Sequence, residues 1–224
     1  MVTFWVVFAA VAAALLYWLL IITEGTYLGT RVVVWLYDLY ARRYDRAKNL
    51  SYVFEARFIG LPLVQALSPL PVPRILDVAS GTGRVPMALQ RAGGAGGLVV
   101  GADRSRRMLA EARAATPDPG QSVAYLCADA AALPFGANTF DAVTCLESLE
   151  FMASGRAVLA EMVRVLKPGG LLLLSNRVGS DALLFPGRLC RRGCLERVLG
   201  EMELRDITGE RWQVHYDLVW ASKP

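Results

Sequence analysis

An aliphatic run that ends in closely spaced glycines, Ile-Leu-Asp-Val-Ala-Ser-Gly-Thr-Gly at residues 75–83, leaves few folds open to this chain. The apolar residues predict a buried strand. Gly81 and Gly83 predict a tight loop in which bare backbone approaches a ligand, because a Cβ would block the required geometry. A second apolar strand, Leu98 to Ala102, ends at Asp103, twenty residues after Gly83. An acidic side chain at that distance is typical of a site that binds a nucleotide ribose.

The loop departs from the dinucleotide-binding pattern G-x-G-x-x-G. Pro86 occupies the third glycine position, and Asp77 stands four places before Gly81. This departure argues against the alternative of an NAD-dependent reductase, which would bind NADH tightly. A glycine turn that joins a strand to a helix without any ligand is the plainer alternative.

The N-terminal segment Phe4 to Ile22 is an uninterrupted apolar run in a 224-residue chain that is 54% hydrophobic. A helix of this length is ~28 Å long, close to the ~30 Å hydrocarbon core of a bilayer, and it has no polar stripe. No Lys or Arg precedes the run, as a signal peptide would require. We predict a membrane anchor over residues 1–25, with a cleaved signal and a buried core helix as the alternatives.

The charges that follow the apolar run indicate its orientation. Basic residues dominate the next stretch: Arg31, Arg42, Arg43, Arg46 and Lys48. Since excess Lys and Arg near a span stay in the cytoplasm, we predict a single-pass protein whose main domain is cytoplasmic. The net charge of +4 fits a domain held against anionic lipid. The basic residues are scattered without interleaved aromatic residues, which argues against a nucleic-acid partner.

Residues 26–70 form a mixed region between the anchor and the main domain. Tyr27 to Lys48 alternates apolar, aromatic and basic residues, which fits either a helix at the membrane surface or an amphipathic helix covering the following domain. A helix from Tyr52 to about Leu67 is predicted next. The proline-rich segment 68–73 then marks the start of the main domain, residues 71–224.

From Arg74 onward, strand and helix patterns alternate. Predicted strands are Arg74–Val78, Leu98–Ala102, Val123–Cys127, Phe140–Leu146 and Leu171–Ser175. Predicted helices begin near Arg84 and span Ser105–Ala115, Ser154–Leu166 and Cys190–Glu201. Two closely spaced strands, Glu203–Thr208 and Val214–Ala221, predict an antiparallel hairpin at the sheet edge. The fold class is therefore α/β, a doubly wound, mostly parallel, Rossmann-like sheet of seven strands whose last strand is antiparallel.

The cysteines and the single histidine give no metal-binding pattern. The four cysteines form no C-x-x-C pair, and His215 is the only histidine in the chain. This composition argues against a structural zinc site, and we predict no metal.

The D-x-x-x-G-x-G order at Asp77–Gly83 resembles the first motif of the class I S-adenosylmethionine-dependent methyltransferases. Four later segments are similar to further motifs of that family, in the same order: Tyr125–Phe135, Asn138–Val143, Glu161–Gly170 and Tyr216–Lys223. The similarity covers roughly residues 37–224. Leu76–Gly83 and the upstream Tyr44-Asp45 most resemble the ubiquinone/menaquinone C-methyltransferase-like branch, methyltransferase type 11.

The resemblance implies S-adenosylmethionine as cofactor and assigns it a set of residues. Backbone around Ala79, Gly81 and Gly83 would hold the methionine part, with Asp77 near its ammonium group. Asp103 would accept from the ribose hydroxyls. Arg104 and Met108 would flank the adenine. Asp129 would accept a hydrogen bond from the adenine amine, and the Ala130 N–H would donate to a ring nitrogen. Leu146 would also contact the cofactor. Arg104 departs from the family, where an apolar residue is more usual.

Two further residues are candidates for chemistry on the acceptor. Glu147 and Glu150 both follow the fourth predicted strand. A carboxylate at this place could act as a base with a raised pKa or attract a cationic amine. The alternative is that both carboxylates cap the following helix. His215 is predicted at the cofactor end of the sheet, either as a general base or as a surface histidine. These features predict a membrane-tethered methyltransferase for a lipophilic small molecule such as a quinone, lipid or thiol. The alternative is a non-catalytic, cofactor-binding membrane scaffold. The oligomeric state stays open.

Overall fold

The structure is a computed structural model that describes residues 1–48, 50–116 and 122–224. Its centre is a seven-stranded sheet in the order β3-β2-β1-β4-β5-β7-β6. The strands are β1 Arg74–Val78, β2 Leu98–Asp103, β3 Ser122–Cys127, β4 Phe140–Cys145, β5 Leu166–Arg177, β6 Arg205–Arg211 and β7 Tyr216–Ser222. Strands β1 to β5 are parallel, and β7 pairs antiparallel with both β5 and β6. The predicted doubly wound sheet with an antiparallel closing hairpin is confirmed.

Helices cover both faces of the sheet. They are α5 Leu61–Leu67, α6 Arg84–Arg91, α7 Arg106–Ala115, α8 Gly155–Val165 and α9 Cys194–Glu201. Successive residues of β1 point to opposite cores, since Ile75 packs with α5 and α6 while Leu76 packs with α8 and α9. Burial on both sides explains why the strands read as continuous apolar runs in the sequence.

Two predicted boundaries are wrong by four or more residues, and β6 lies at Arg205–Arg211 rather than Glu203–Thr208. Strand β5 begins at Leu166 rather than Leu171, because Leu166 pairs with Phe140 and the Pro168-Gly-Gly170 segment forms an irregularity inside the strand. Helix α9 begins at Cys194 rather than Cys190, because Gly193 is left-handed with φ 78° and an α-helix cannot run through it.

The N-terminal residues form helix α1, Val2–Ile22, whose last turn is a π-helix. Among the described residues it is the one straight helix long and apolar enough to cross a bilayer, and none of its apolar window is buried. The base of α1 contacts the main domain. Trp18 Nε1 donates to Leu184 O at 3.2 Å, and the Trp18 ring stacks on Tyr27 at 5.0 Å.

Helices α2 Thr30–Tyr40 and α3 Tyr44–Ala47, with the 3₁₀ turn between them, lie across the carboxyl ends of the first strands; we call residues 30–47 the roof segment. Helix α2 packs against α7. Two carboxylates of the roof segment attach it to the domain. Asp38 accepts from Ser105 Oγ at 2.5 Å, and Asp45 accepts from Thr82 Oγ1 at 2.5 Å. One face of the amphipathic segment therefore covers the main domain. The short helix α4, Tyr52–Glu55, continues through a π-turn into α5.

Candidate active site

A crevice lies past the carboxyl ends of β1, β2 and β4, where the strand order reverses. Such a reversal is the usual ligand-binding position in open α/β sheets. Nine of the predicted site residues line this crevice together: Ala79, Gly81, Asp103, Arg104, Met108, Asp129, Ala130, Leu146 and Glu147. Residues distant in sequence are therefore brought to one surface by the parallel strands.

The loop after β1 has the backbone geometry that its glycines predicted. Gly81 has φ 53° and Gly83 has φ 88°, and Ala79 is also left-handed with φ 55°. A non-glycine residue in that region is strained, and such strain is concentrated at functional sites. The Ser80 N–H donates to Ala102 O at 3.1 Å, so the loop is held against the end of β2.

Asp103 connects this loop to the helix that follows β2. Its Oδ2 accepts from the Gly81 N–H at 2.9 Å, and its Oδ1 accepts from the Ser105 N–H at 2.8 Å. Burial raises the pKa of Asp103, although the N–H groups of Ser105, Gly81 and Arg104 act in the opposite direction. A carboxylate has about four lone-pair sites, so beyond these three N–H donors Asp103 can still accept from a ribose hydroxyl.

The crevice also carries the two residues predicted to flank the adenine, Arg104 and Met108. Arg104 NH1 lies 3.1 Å from Asp129 Oδ2, and both side chains are nearly half exposed. Met108 is buried with 1% exposure. The Met108 side chain supplies an apolar contact, while the Arg104 guanidinium pairs with the Asp129 carboxylate. This pairing gives a physical reason for the arginine where the family more usually has an apolar residue.

Asp77 and Gly83 do not line the crevice. The Asp77 side chain is 2% exposed and accepts from Thr144 Oγ1 at 2.7 Å. Burial, with a smaller contribution from the charge of Asp103, raises the pKa of Asp77 to about 7. A Cβ at Gly83 would lie 2.5 Å from the Tyr125 hydroxyl oxygen, so this glycine is required by packing against β3 as well as by its positive φ.

A second, wider cavity of about 580 Å³ adjoins the first. Its lining includes Lys48, Leu50, Phe54, Glu55, Arg84, Glu147, Gln213, Val214, His215 and Tyr216. Among the described residues, Glu147 alone lines both cavities. The carboxylate after strand β4 therefore stands at the junction between the crevice and the second cavity.

Glu147 is held firmly at that junction. Its backbone has φ 47°, and its N–H donates to Ser175 Oγ at 2.6 Å. Its Oε1 accepts from Arg84 NH1 at 2.7 Å, and Lys48 Nζ lies 3.7 Å from Oε2. Burial alone would raise the pKa of Glu147, but Arg84 and Lys48 outweigh it and hold the pKa below its usual value. The expectation of a base with a raised pKa is therefore wrong, because the neighbouring cations stabilise the ionised carboxylate.

Arg84 is a central residue of the site that the sequence pattern did not single out. It is 9% exposed, donates to Glu55 Oε1 at 2.7 Å as well as to Glu147, and lies over the Trp212 ring at 4.7 Å. In the sequence, only its position directly after Gly83 indicates that Arg84 lies near the site. Its partners stand 29 and 63 residues away in the chain, so no local pattern shows the triad.

Glu150 and His215 have different surroundings. Glu150 is buried and accepts from Arg177 Nε at 2.9 Å and from the Tyr216 hydroxyl, so it joins the ends of β5 and β7. It neither caps a helix nor faces the crevice. His215 is exposed and lies on the wall of the second cavity, at the carboxyl end of the parallel strands, as its position before β7 predicted.

The roof segment closes the crevice from above with residues that the cofactor assignment did not include. Val33, Val34, Tyr37 and Tyr44 all line it. Burial raises the pKa of the Tyr44 hydroxyl, and the charge of Glu147 adds to this effect, so Tyr44 stays neutral. The Tyr44-Asp45 pair was already the upstream element of the family resemblance.

These residues fit an adenosyl sulfonium cofactor. The crevice offers bare backbone at Gly81, carboxylates at Asp103 and Asp129 for hydroxyl and amine groups, and apolar surface at Met108. The ionised Glu147 supplies negative charge beside the position expected for the positively charged methionine part.

Comparison with known proteins agrees with this geometry. A family model described as a methyltransferase domain matches residues 76–174. The demethylmenaquinone methyltransferase of Thermus thermophilus is 43% identical over 136 residues, which is 60% of this chain and 60% of that protein. The enzyme of the same name from Renibacterium salmoninarum is 36% identical over 141 residues, or 63% of this chain and 56% of that protein. The chain thus spans less than two thirds of the length of these relatives.

Solved structures share the fold. A methyltransferase solved with the Trm112 methyltransferase activator of Haloferax volcanii has a TM-score of 0.61 at 20% identity, covering 84% of this chain and 97% of that one. The magnesium protoporphyrin IX methyltransferase of Synechocystis, solved with S-adenosylmethionine, has a TM-score of 0.56 at 19% identity, covering 77% and 81%. With the motifs, the sheet order and the crevice, these similarities support a class I S-adenosylmethionine-dependent methyltransferase of the menaquinone-type branch.

Proposed function

We propose that this chain transfers a methyl group from S-adenosylmethionine to a lipophilic small molecule that carries a quinone-type ring. The observation that carries the proposal is the junction of two cavities at Glu147, one lined by the residues assigned to the cofactor and one beside it. The name of the similar proteins, demethylmenaquinone methyltransferase, supports a ring of this kind over a thiol or an aliphatic lipid.

Within the crevice, each lining residue has a role that follows from its chemistry. Asp103 accepts from the ribose hydroxyls, and Asp129 accepts from the adenine amine. The backbone of Ala79 and Gly81 contacts the methionine part, while Met108 and Leu146 provide apolar walls. Glu147 stays ionised and orients the ammonium and sulfonium charges toward the second cavity. Asp77, beneath the loop, adds a carboxyl whose ionisation a nearby ammonium group would favour.

When bound, the cofactor supplies an electrophilic methyl group, so the protein mainly positions the two reactants and handles one proton. Lys48 lies at the border of the second cavity and would stabilise the developing oxyanion of a hydroxylated ring. His215 lies on the same wall and would accept the proton that the ring hydroxyl or ring carbon loses as the new bond to carbon forms. Leu50, Phe54 and Val214 offer apolar surface for the rest of the acceptor.

The N-terminal helix supports a membrane-tethered enzyme with its catalytic domain in the cytoplasm. Helix α1 exposes its apolar side chains over 21 residues, and arginines follow it. A lipophilic acceptor partitions into the bilayer, so a tether would raise its local concentration at the enzyme.

The test is methyl transfer by the full chain in lipid nanodiscs. Isotope-labelled cofactor is incubated with demethylated naphthoquinols that carry or lack an isoprenoid tail. We expect labelled product with the tailed quinol, and a His215→Gln variant slower by ~10²–10⁴ with unchanged cofactor affinity, as for loss of a general base. Cofactor binding without transfer to any quinol or membrane-extract lipid would instead favour the scaffold alternative. Equal rates for wild type and His215→Gln would remove the histidine from the mechanism.

A further inference from the structure

The outward face of the roof segment exposes a stripe of large apolar residues. Leu28, Trp35 and Leu39 are 45%, 60% and 62% exposed. Trp35 and Leu39 are four residues apart in α2 and therefore lie on one side of it, and Leu28 precedes the roof segment by two residues; we call these three residues the stripe. The opposite face of α2 carries Val33 and Tyr37, which line the crevice. The stripe is therefore not needed for packing the domain.

The charges on this outward face are mainly basic. Arg31, Arg42, Arg43 and Arg46 are all exposed. The two acids of the roof segment point elsewhere, since Asp38 binds Ser105 and Asp45 binds Thr82 and Tyr52. One acidic side chain does lie near these arginines: Oε1 of Glu111, in α7, is 3.9 Å from Arg42 Nε. The Arg42 side chain is nonetheless 92% exposed. Apolar side chains flanked by arginines are typical of helices that lie on anionic membranes.

The stripe is continuous with the base of α1. Its first residue, Leu28, follows Ile22, the last residue of α1, by six residues. Next to Leu28, the Tyr27 ring stacks on Trp18, and the Tyr27 hydroxyl donates to Pro186 O at 2.7 Å. Leu183, beside the Leu184 carbonyl that Trp18 contacts, is 65% exposed. Aromatic residues of this kind mark the level of the lipid head groups.

We propose that the outward face of the roof segment lies on an anionic phospholipid bilayer, in addition to the anchoring by α1. This inference rests on the proposed membrane tether and extends it. A helix is ~10 Å thick, so a docked roof segment would place the cofactor crevice directly beneath the head groups, where a lipophilic acceptor arrives.

The experiment measures contact between Trp35 and lipid in the full chain. The protein is placed in nanodiscs whose lipids carry bromine near the head-group end of the acyl chains, with zwitterionic or anionic head groups. Quenching that is present in wild type and absent in Trp35→Phe belongs to Trp35, which separates it from Trp5, Trp18, Trp212 and Trp220. We expect Trp35 quenching, stronger with anionic lipid.

Charge variants test the role of the arginines. In Arg42→Gln/Arg43→Gln, the ratio of docked to undocked roof segment should fall roughly fivefold for each arginine replaced. The matched control is Arg205→Gln/Arg211→Gln, because these exposed arginines lie in β6 at the sheet edge. This control should be quenched like wild type.

Absence of Trp35 quenching in anionic nanodiscs would overturn the proposal. Chemical cross-linking of the stripe to a second copy of the chain or to another protein, in place of lipid contact, would also overturn it. Equal quenching in both charge variants would also contradict it. The readout needs neither cofactor nor acceptor. A chain that transfers methyl groups without Trp35 quenching thus loses only this inference, whereas a quenched chain without transfer loses only the proposed reaction.

Discussion

The Asp103 carboxylate accepts a hydrogen bond from the Gly81 N–H at 2.9 Å. This bond ties the glycine loop after β1 to the end of β2. The surfaces proposed for the methionine part and for the ribose are therefore joined by a hydrogen bond before any ligand arrives. Such preorganisation lowers the entropic cost of binding.

Replacing Asp103 should weaken cofactor binding. Asp103→Asn removes the charge and turns an amide toward N–H donors. Because hydrogen bonds to charged groups contribute roughly 1.5–3 kcal/mol, we expect a Kd for S-adenosylmethionine about 10- to 100-fold higher by calorimetry. Asp141→Asn is the matched control, since Asp141 lies at the opposite end of the strands beside Lys167. Equal affinity for wild type and Asp103→Asn would refute the ribose assignment.

Gly83 should tolerate a methyl group less well than another left-handed glycine. Gly83 and Gly93 have φ of 88° and 98°, but only at Gly83 is the Cβ position occupied, by the Tyr125 hydroxyl. Alanine should cost about 1–3 kcal/mol at either position from backbone strain, and about 1–3 kcal/mol more at Gly83 from overpacking. Chemical unfolding measures both. Tyr125→Phe should recover part of the extra loss in Gly83→Ala, and a purely additive double variant would contradict the clash.

The buried triad around Arg84 should be sensitive to loss of its cation. Arg84→Gln leaves Glu55 and Glu147 buried without the cation they share, and removing one partner of a buried pair costs about 3–5 kcal/mol. We expect a loss of this size in the free energy of unfolding. The triple variant Glu55→Gln/Arg84→Gln/Glu147→Gln should recover most of it. An Arg84→Gln variant as stable as wild type would show that the triad is not coupled.

Asp77 should make stability fall as pH rises through the acidic range. Its folded-state pKa of about 7 lies above the usual value of 3.8, so the folded state retains the proton that the unfolded chain loses. Stability from this group is present below about pH 4 and is lost as pH approaches about 7, by up to roughly 4 kcal/mol. Asp77→Asn keeps an acceptor for Thr144 and should be the more stable protein at pH 8. Unfolding at pH 5 and pH 8 measures the difference, and identical pH dependence in both proteins would contradict it.

The fold and most of the residues that line the crevice were predictable because their signals are local. An apolar run ending at Gly81 specifies a buried strand and an exposed loop, and parallel strands necessarily bring Asp103 and Asp129 to the same sheet edge. The pairing of β5 with β4 from Leu166 was missed, because Pro168-Gly-Gly170 looks like a strand boundary in the sequence and is an irregularity within the sheet.

Residue types and their order determined that this chain forms a doubly wound sheet with an acidic, glycine-lined crevice and an apolar N-terminal helix. Tertiary structure alone decided that the pKa of Glu147 is lowered despite its burial, that Gly83 makes room for Tyr125, and that the segment after α1 covers the crevice. The physical reason is range. Backbone propensity and hydrophobic period act over a few neighbouring residues, whereas the protonation of Glu147 depends on Arg84, a cation 63 residues away that only packing brings to 2.7 Å.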